Sequence, residues 1–296
     1  MRETVDWRLM TAPRPTYSVP LAHGGVLQLG ARPLVMGILN VTPDSFAESG
    51  AVDVHEAIDR ALTMEADGAD IVDVGGESTR PGAEPVDAKT ELARVMPVIE
   101  AISGRLRIPI SVDTYKAVVA DAAIEAGAHL VNDVSGLLYD PSLADVVARR
   151  GASIVLMHMR GRSKDMYDQA EYVDIARDVA AELRARVEAA VVAGVPLTSI
   201  VVDPGVGFAK RPAHSYGVLA RLPEIADAIR RPVLVGPSRK SFLRDAAGGA
   251  DASGRDWTTA AAVAAAVLNG AHIVRVHAVG PMVQVVRAAE EIRQAG

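Results

Sequence analysis

Five times in this chain a glycine followed by a small or branched apolar residue separates a run with helical spacing from a short β-prone run. The pairs are Gly68-Ala69, Gly127-Ala128, Gly151-Ala152, Gly194-Val195 and Gly270-Ala271. Glycine supplies the left-handed cap that ends a helix, and the small neighbour lets the chain turn inward. Repetition of that mark confines the chain to alternating helices and strands, and strands joined through helices run parallel. The β-prone runs are Val35–Asn40, Ile71–Gly76, Ile110–Asp113, Leu130–Val134, Ile154–Met159, Ile200–Pro204, Val233–Gly236 and Ile273–His277. Most are apolar until their last residues, as strands buried on both faces must be. Their starts lie roughly 20 to 46 residues apart, enough for one helix each.

Between them, Asp53 and Glu56 form a capping box ahead of Val54, Ala57, Ile58, Ala61 and Leu62, one apolar helical face. Further helices are expected over Lys89–Ile102, Lys116–Ala126, from Pro141, over Tyr172–Ala193, near Tyr216–Ile229, over Thr258–Leu268, and from Pro281. The row Val179, Leu183, Val187, Val191 marks the buried stripe of the long one. Eight βα units predict a (β/α)8 TIM barrel; an open doubly wound sheet is the other arrangement such a pattern permits. Ahead of the barrel, Tyr17-Ser18-Val19 and Val26–Leu29 flank His23-Gly24-Gly25 and predict a β-hairpin placed to plug the barrel base. Residues 1–17, polar and carrying Pro13 and Pro15, read as a flexible N-terminal arm, and residues 18–296 as a single domain.

Composition agrees and excludes several functions. Aromatic residues are only 4% of the chain, against 49% hydrophobic, which suits helices packed on a parallel sheet. With no cysteine, disulfides, thiolate nucleophiles and thiolate metal sites are excluded. A net charge of −6 without a basic stripe gives no support to nucleic-acid binding. No uncharged apolar run reaches membrane-spanning length and no signal peptide is evident, so a cytoplasmic protein is expected.

In a TIM barrel the active site lies at the carboxyl ends of the strands. The residues there are Asn40, Glu77-Ser78-Thr79-Arg80-Pro81-Gly82, Asp113, Asn132-Asp133, Met157-His158-Met159, Asp203, Ser238-Arg239-Lys240 and Arg275-Val276-His277. They divide by chemistry. Asp113, Asn132 and Asp203 offer acceptors, and an amide, to a donor-rich ring. Arg80, Lys240, Arg275 and His277 suit an anion such as diphosphate. Asn40 offers a neutral oxygen that can reach a Mg²⁺ bridging phosphate oxygens. Each has a plainer reading: the carboxylates can bind loop N–H groups, Asn132 can cap a turn, and Arg80 can be a solvated charge. His158, in an apolar run, reads as a satisfied core histidine. His23, His55, His129, His214 and His272 read as surface or junction residues. The residues alone define a barrel enzyme whose substrate joins an amide-rich ring to a phosphate.

The same stretches resemble dihydropteroate synthases. The matching segments are Met36–Phe46 (MGILNVTPDSF), Asp73–Gly82 (DVGGESTRPG), Ser111–Thr114, Val131–Val134, Val155–Met159, Asp203–Phe208 (DPGVGF), Val235–Phe242 (VGPSRKSF) and Arg275–His277. They run from the first expected strand to the eighth. The resemblance implies a pterin-binding barrel that condenses 6-hydroxymethyl-7,8-dihydropterin diphosphate with p-aminobenzoate. The products would be 7,8-dihydropteroate and diphosphate, in folate biosynthesis. It implies Mg²⁺, a dissociative path through a pterin cation, a homodimer and sulfonamides as ligands. By position, Asp113, Asn132, Met157, Asp203, Phe208, Gly236 and Lys240 would hold the pterin. Phe46, Thr79, Arg80, Pro81 and Ser238 would form the p-aminobenzoate pocket, within loops 41–50 and 77–84 closing over it. Asn40, Arg80, Arg275 and His277 would hold diphosphate, with Asn40 on the metal. Lys240, Arg275, His277, Asp113 and Asp203 would carry the catalysis.

Two departures stand out. The family's usual Ser-Asp-Gly-Gly after Phe46 is here Ala47-Glu48-Ser49-Gly50, and its usual Asp after His277 is Ala278. A non-catalytic pterin-binding paralogue and a pterin-binding methyltransferase domain are the alternative readings. The intact Thr79-Arg80-Pro81 loop and the cations at the seventh and eighth strand ends weigh against both.

Overall fold

The computed structural model describes residues 13–42, 54–79 and 82–295. Tyr17–Pro20 (β1) and Val26–Leu29 (β2) form an antiparallel hairpin, with Tyr17 opposite Leu29. There follow Leu34–Asn40 (β3), Val54–Ala66 (α1), Ile71–Gly75 (β4), Ala88–Ser103 (α2), Ile110–Asp113 (β5), Ala117–Glu125 (α3), Leu130–Asp133 (β6), Leu143–Arg150 (α4) and Ser153–Met157 (β7). Then come Ile175–Val192 (α5), Ile200–Asp203 (β8), Pro212–Ala220 (α6), Leu222–Ile229 (α7), Leu234–Val235 (β9), Asp256–Leu268 (α8), Ile273–Val276 (β10) and Val279–Ala295 (α9). Each of the eight parallel strands pairs with its neighbours in sequence, β10 pairs with β3, and a bridge from Val202 to Val233 brings β8 against the start of β9. The expected TIM barrel and hairpin are both present.

Alternation along each strand sorts the side chains. Val35, Leu39, Val72, Val74, Val112, Val131, Ile154, Val202 and Val274 point outward into the helix layer. Leu34, Met36, Ile71, Leu130, Val155, Val201, Leu234 and Ile273 point inward and meet Val19, Leu27 and Leu29 of the hairpin, which seals the base. Tethers fix the plug: Ala22 N–H donates to His129 O at 3.1 Å, the Ser153 hydroxyl donates to Pro20 O, and a His272 ring nitrogen sits 3.0 Å from Pro15 O. His272 is thus a buried junction. Arg14 is buried as well, donating to both Glu290 carboxylate oxygens at 3.2 and 2.7 Å, so docking of the arm begins at or before residue 14.

Several boundaries differ from the sequence pattern for local reasons. β9 has two residues rather than four because prolines flank it and Val233 N–H donates to the His272 ring instead of a strand. β7 ends at Met157, where His158 N–H turns to Asp203 O. The single helix expected near 216–229 is two, because Pro223 starts a new helix after Arg221. α5 starts at Ile175, since the Asp174 carboxylate accepts from Ala176 and Arg177 N–H. α9 opens two residues before Pro281, which its first turn tolerates. Asp53, the cap expected for α1, lies outside the described residues.

Candidate active site

The inward rows that are apolar at the base turn polar two residues later. Met36 leads through Ile38 to Asn40, Ile71 to Asp73, Leu130 to Asn132, Val201 to Asp203 and Ile273 to Arg275. Strand register carries these groups to the carboxyl mouth, with Asp113 opposite Asn132 and Met157 opposite Asp203, while Asn40 lies opposite Gly75, two residues beyond Asp73.

Asp73 is the hub the motif reading passed over. Its Oδ2 accepts from Arg275 Nε at 2.6 Å and Asn132 Nδ2 at 2.9 Å, and Arg275 Nη2 donates to Asp113 Oδ2 at 2.6 Å. The guanidinium is pinned between two carboxylates, and the Asn132 carbonyl oxygen is left as an acceptor. Burial pushes the Asp113 carboxyl up from its ordinary range, against the pull of Arg275.

Across the mouth, Asp203 is buried and its carboxyl is raised to about 6, by desolvation above all. Its Oδ1 accepts Gly205 N–H at 2.7 Å. Gly205 has φ +67° and a Cβ there would lie 2.1 Å from His158 O, so only glycine closes this turn. The turn delivers Phe208, over whose ring the Lys240 ammonium sits 3.6 Å from the centroid. Burial, then Arg275, pushes that ammonium down to about 7. Lys240 is aimed by Arg239, which takes φ +58° and is clamped by Asp256 at 2.7 and 2.8 Å.

Ser238 is buried, and its hydroxyl accepts His277 N–H at 3.1 Å and lies 2.9 Å from Nδ1. Exposed Ser241, which the motif reading left unassigned, has its hydroxyl 3.3 Å from the Tyr167 hydroxyl. Asn40 is partly exposed at the end of β3. Thr79 borders both a narrow slot of about 20 Å³, shared with Asn132, Met157, Asp203, Gly236 and Lys240, and a wider pocket of about 240 Å³ beside it. Phe46, Arg80 and Pro81 lie outside the described residues.

The loop after β4 is anchored by groups with no motif signal. Arg94 donates to Gly76 O at 2.7 Å, Tyr115 donates to Glu77 at 2.8 Å, and Lys116 bridges Glu77 and Glu91. Gly82 N–H donates to Ser163 O at 3.0 Å, which ties the loop's far side to the segment after β7.

A closed parallel barrel with this donor and acceptor layer at its mouth is a pterin-binding barrel. The chain matches the family of pterin binding enzymes over residues 36–277 and belongs to it. Within the family its relatives include dihydropteroate synthases. The Synechocystis enzyme of that name is 44% identical over 275 residues, covering 92% of this chain and 95% of that one. Folic acid synthesis protein fol1 of Schizosaccharomyces pombe is 46% identical over 88% of this chain, which spans only 36% of it. Among solved structures, Yersinia pestis dihydropteroate synthase in complex with a sulfonamide drug superposes with a TM-score of 0.86 at 40% identity, covering 92% of this chain and 98% of that one. Burkholderia cenocepacia dihydropteroate synthase complexed with 7,8-dihydropteroate superposes with a TM-score of 0.84 at 40% identity, covering 94% of this chain and 97% of that one.

Proposed function

We infer that this chain is a dihydropteroate synthase, joining 6-hydroxymethyl-7,8-dihydropterin diphosphate to p-aminobenzoate with release of diphosphate. The observation that carries this is the meeting of Asp113, Asn132, Asp203 and Lys240 with Arg275 and His277 at one barrel mouth, in a chain of this family.

Asp113 and Asp203 accept the ring's N–H groups, while Asn132 and the Lys240 ammonium complete the edge. Gly236 leaves room for the ring against the backbone, and Met157 and Phe208 wall it. The Lys240 ammonium, on the Phe208 face, borders the same slot. Arg275 and His277 hold diphosphate. Among the described residues no three His, Cys, Asp or Glu side chains could hold a metal by themselves. Mg²⁺ characteristically uses one or two protein oxygens plus substrate phosphates and waters, and the Asn40 amide fits that part. When bound, the ion neutralises charge on the diphosphate.

The reaction then follows from charge. The C–O bond between the pterin methylene and diphosphate breaks with its electron pair on oxygen, where Arg275 and His277 stabilise it. The two buried carboxylates favour positive charge on the ring. The p-aminobenzoate nitrogen, already neutral at pH 7, attacks the methylene and loses a proton. Thr79 and Ser238 bound the amine's pocket, a role that the family pattern also gives to Phe46, Arg80 and Pro81. A homodimer through the last helices would cover Trp257 on α8 and Ile292 on α9, both well exposed; sedimentation of the purified protein tests it.

The decisive assay is diphosphate release from purified protein. Release is expected only when pterin diphosphate, p-aminobenzoate and Mg²⁺ are all present. Pterin binding without release would establish a non-catalytic paralogue instead.

A further inference from the structure

Behind the Asp203–Phe208 turn, on the side away from the slot, lies a second ionic array with no part in the chemistry above. Lys210 is among the most deeply buried large side chains, 1% exposed. Its ammonium donates to Phe208 O at 3.1 Å and to His158 Nδ1 at 2.7 Å. The His158 Nε2–H donates to Glu182 Oε2 at 3.0 Å, and Arg160 grips the same carboxylate. These contacts fix one polarity: cation, then neutral imidazole protonated on Nε2, then anion at the surface. A buried lysine without such partners loses its proton, and even here burial pushes Lys210 down to about 7 and His158 to about 4.

The array touches both walls of the turn. His158 N–H donates to Asp203 O at 2.8 Å, Gly205 packs on His158 O, and Lys210 holds the carbonyl of Phe208. We propose that Lys210, anchored by His158 and Glu182, is a positioning residue for the pterin slot: it fixes the Phe208 wall and sets a buried ammonium behind the Asp203 turn. The proposal rests on the pterin-binding reading of Asp203.

The electrostatic surroundings are complete on both sides. Asp203 faces Lys240 and Arg275 within the slot and Lys210 behind it. Lys210 faces Asp203, Glu182, Arg160 and His158. Lys210, held by Phe208 O and His158 Nδ1, is the cation that lies outside the slot. Removing it makes the Asp203 anion less favourable, so its proton is held to higher pH.

The test is binding of 6-hydroxymethylpterin, which carries no phosphate, followed from pH 5 to 8.5 in wild-type protein, Lys210→Met and Glu182→Gln. For Lys210→Met the acidic midpoint of binding should rise by at least ~0.5 pH unit, and Kd at pH 5 should weaken at least about threefold, converging on wild type at high pH. KM for the pterin diphosphate should rise while kcat changes less than about threefold. Glu182→Gln, at the partly exposed end, should shift the midpoint the same way by less. A folded Lys210→Met protein with the wild-type midpoint and KM overturns the proposal. If Lys210→Met does not fold, Glu182→Gln decides alone, a shift supporting the proposal and an unchanged midpoint overturning it. Wild-type protein that binds no pterin at any pH overturns instead the functional reading on which the proposal depends.

Discussion

Arg275 Nε donates to Asp73 Oδ2 at 2.6 Å, across 202 residues of sequence, inside a layer where Asp73 has no solvent exposure. The bond decides which way the guanidinium faces. Asp73→Ala should release it and leave Asn132 without its acceptor. We expect kcat/KM to fall on the order of 100-fold with little change in far-UV circular dichroism, because a displaced charge-stabilising group costs about that much. Steady-state kinetics check it; wild-type kinetics in a folded variant would sink the role.

Three groups in the free enzyme set a pH window. Asp113, raised to about 7, and Asp203, raised to about 6, must be ionised to accept ring N–H groups, so kcat/KM should fall as pH drops through about 7 and then 6. Lys240, lowered to about 7, must be protonated to donate, so kcat/KM should fall as pH rises through about 7. The profile should be a narrow bell, and Lys240→Arg, whose cation does not titrate, should flatten its basic limb.

Gly205→Ala places a methyl 2.1 Å from His158 O in a left-handed conformation. The turn that carries Phe208 cannot form as it stands. The variant should be destabilised by at least about 2 kcal/mol and lose pterin binding together. Chemical denaturation alongside calorimetric titration measures both; loss of one without the other would contradict the argument.

Lys116 bridges Glu77 at the root of the loop after β4 to Glu91, which is 1% exposed. In Lys116→Met the buried Glu91 loses its cation, and burial already raises that carboxyl. Stability should fall by about 3 kcal/mol. The freed loop should raise KM for p-aminobenzoate more than KM for the pterin, and separate titration of the two substrates shows which.

At the opposite end of the barrel, Arg14 pairs with Glu290 and donates to Val267 O at 3.4 Å. Arg14→Ala should lower stability by about 3 kcal/mol through the anion left behind on α9. At saturating substrate, turnover should be unchanged because the site is a barrel's length away. A melting curve and one activity measurement test both halves.

Much of this molecule follows from local pattern. The glycine marks between helix and strand, the two-sided apolar runs and the polar residues closing them are properties of neighbouring residues, and they determine a parallel α/β fold whose strand ends carry Asn40, Asp113, Asn132, Asp203 and Arg275, while permitting either a barrel or an open sheet. The hairpin follows from a glycine pair between β-prone runs. What only tertiary structure decided is which groups are held by which. Asp73 looks like an interior residue of a strand, yet it orients Arg275 and Asn132. Lys210 carries no signal in the sequence pattern, yet it is buried on His158, 52 residues earlier. Ser238 reads as a pocket hydroxyl and is occupied by His277. Periodicity assigns a side chain to a face; only barrel closure, which brings strands 162 and 202 residues apart into hydrogen-bond contact, assigns its partner.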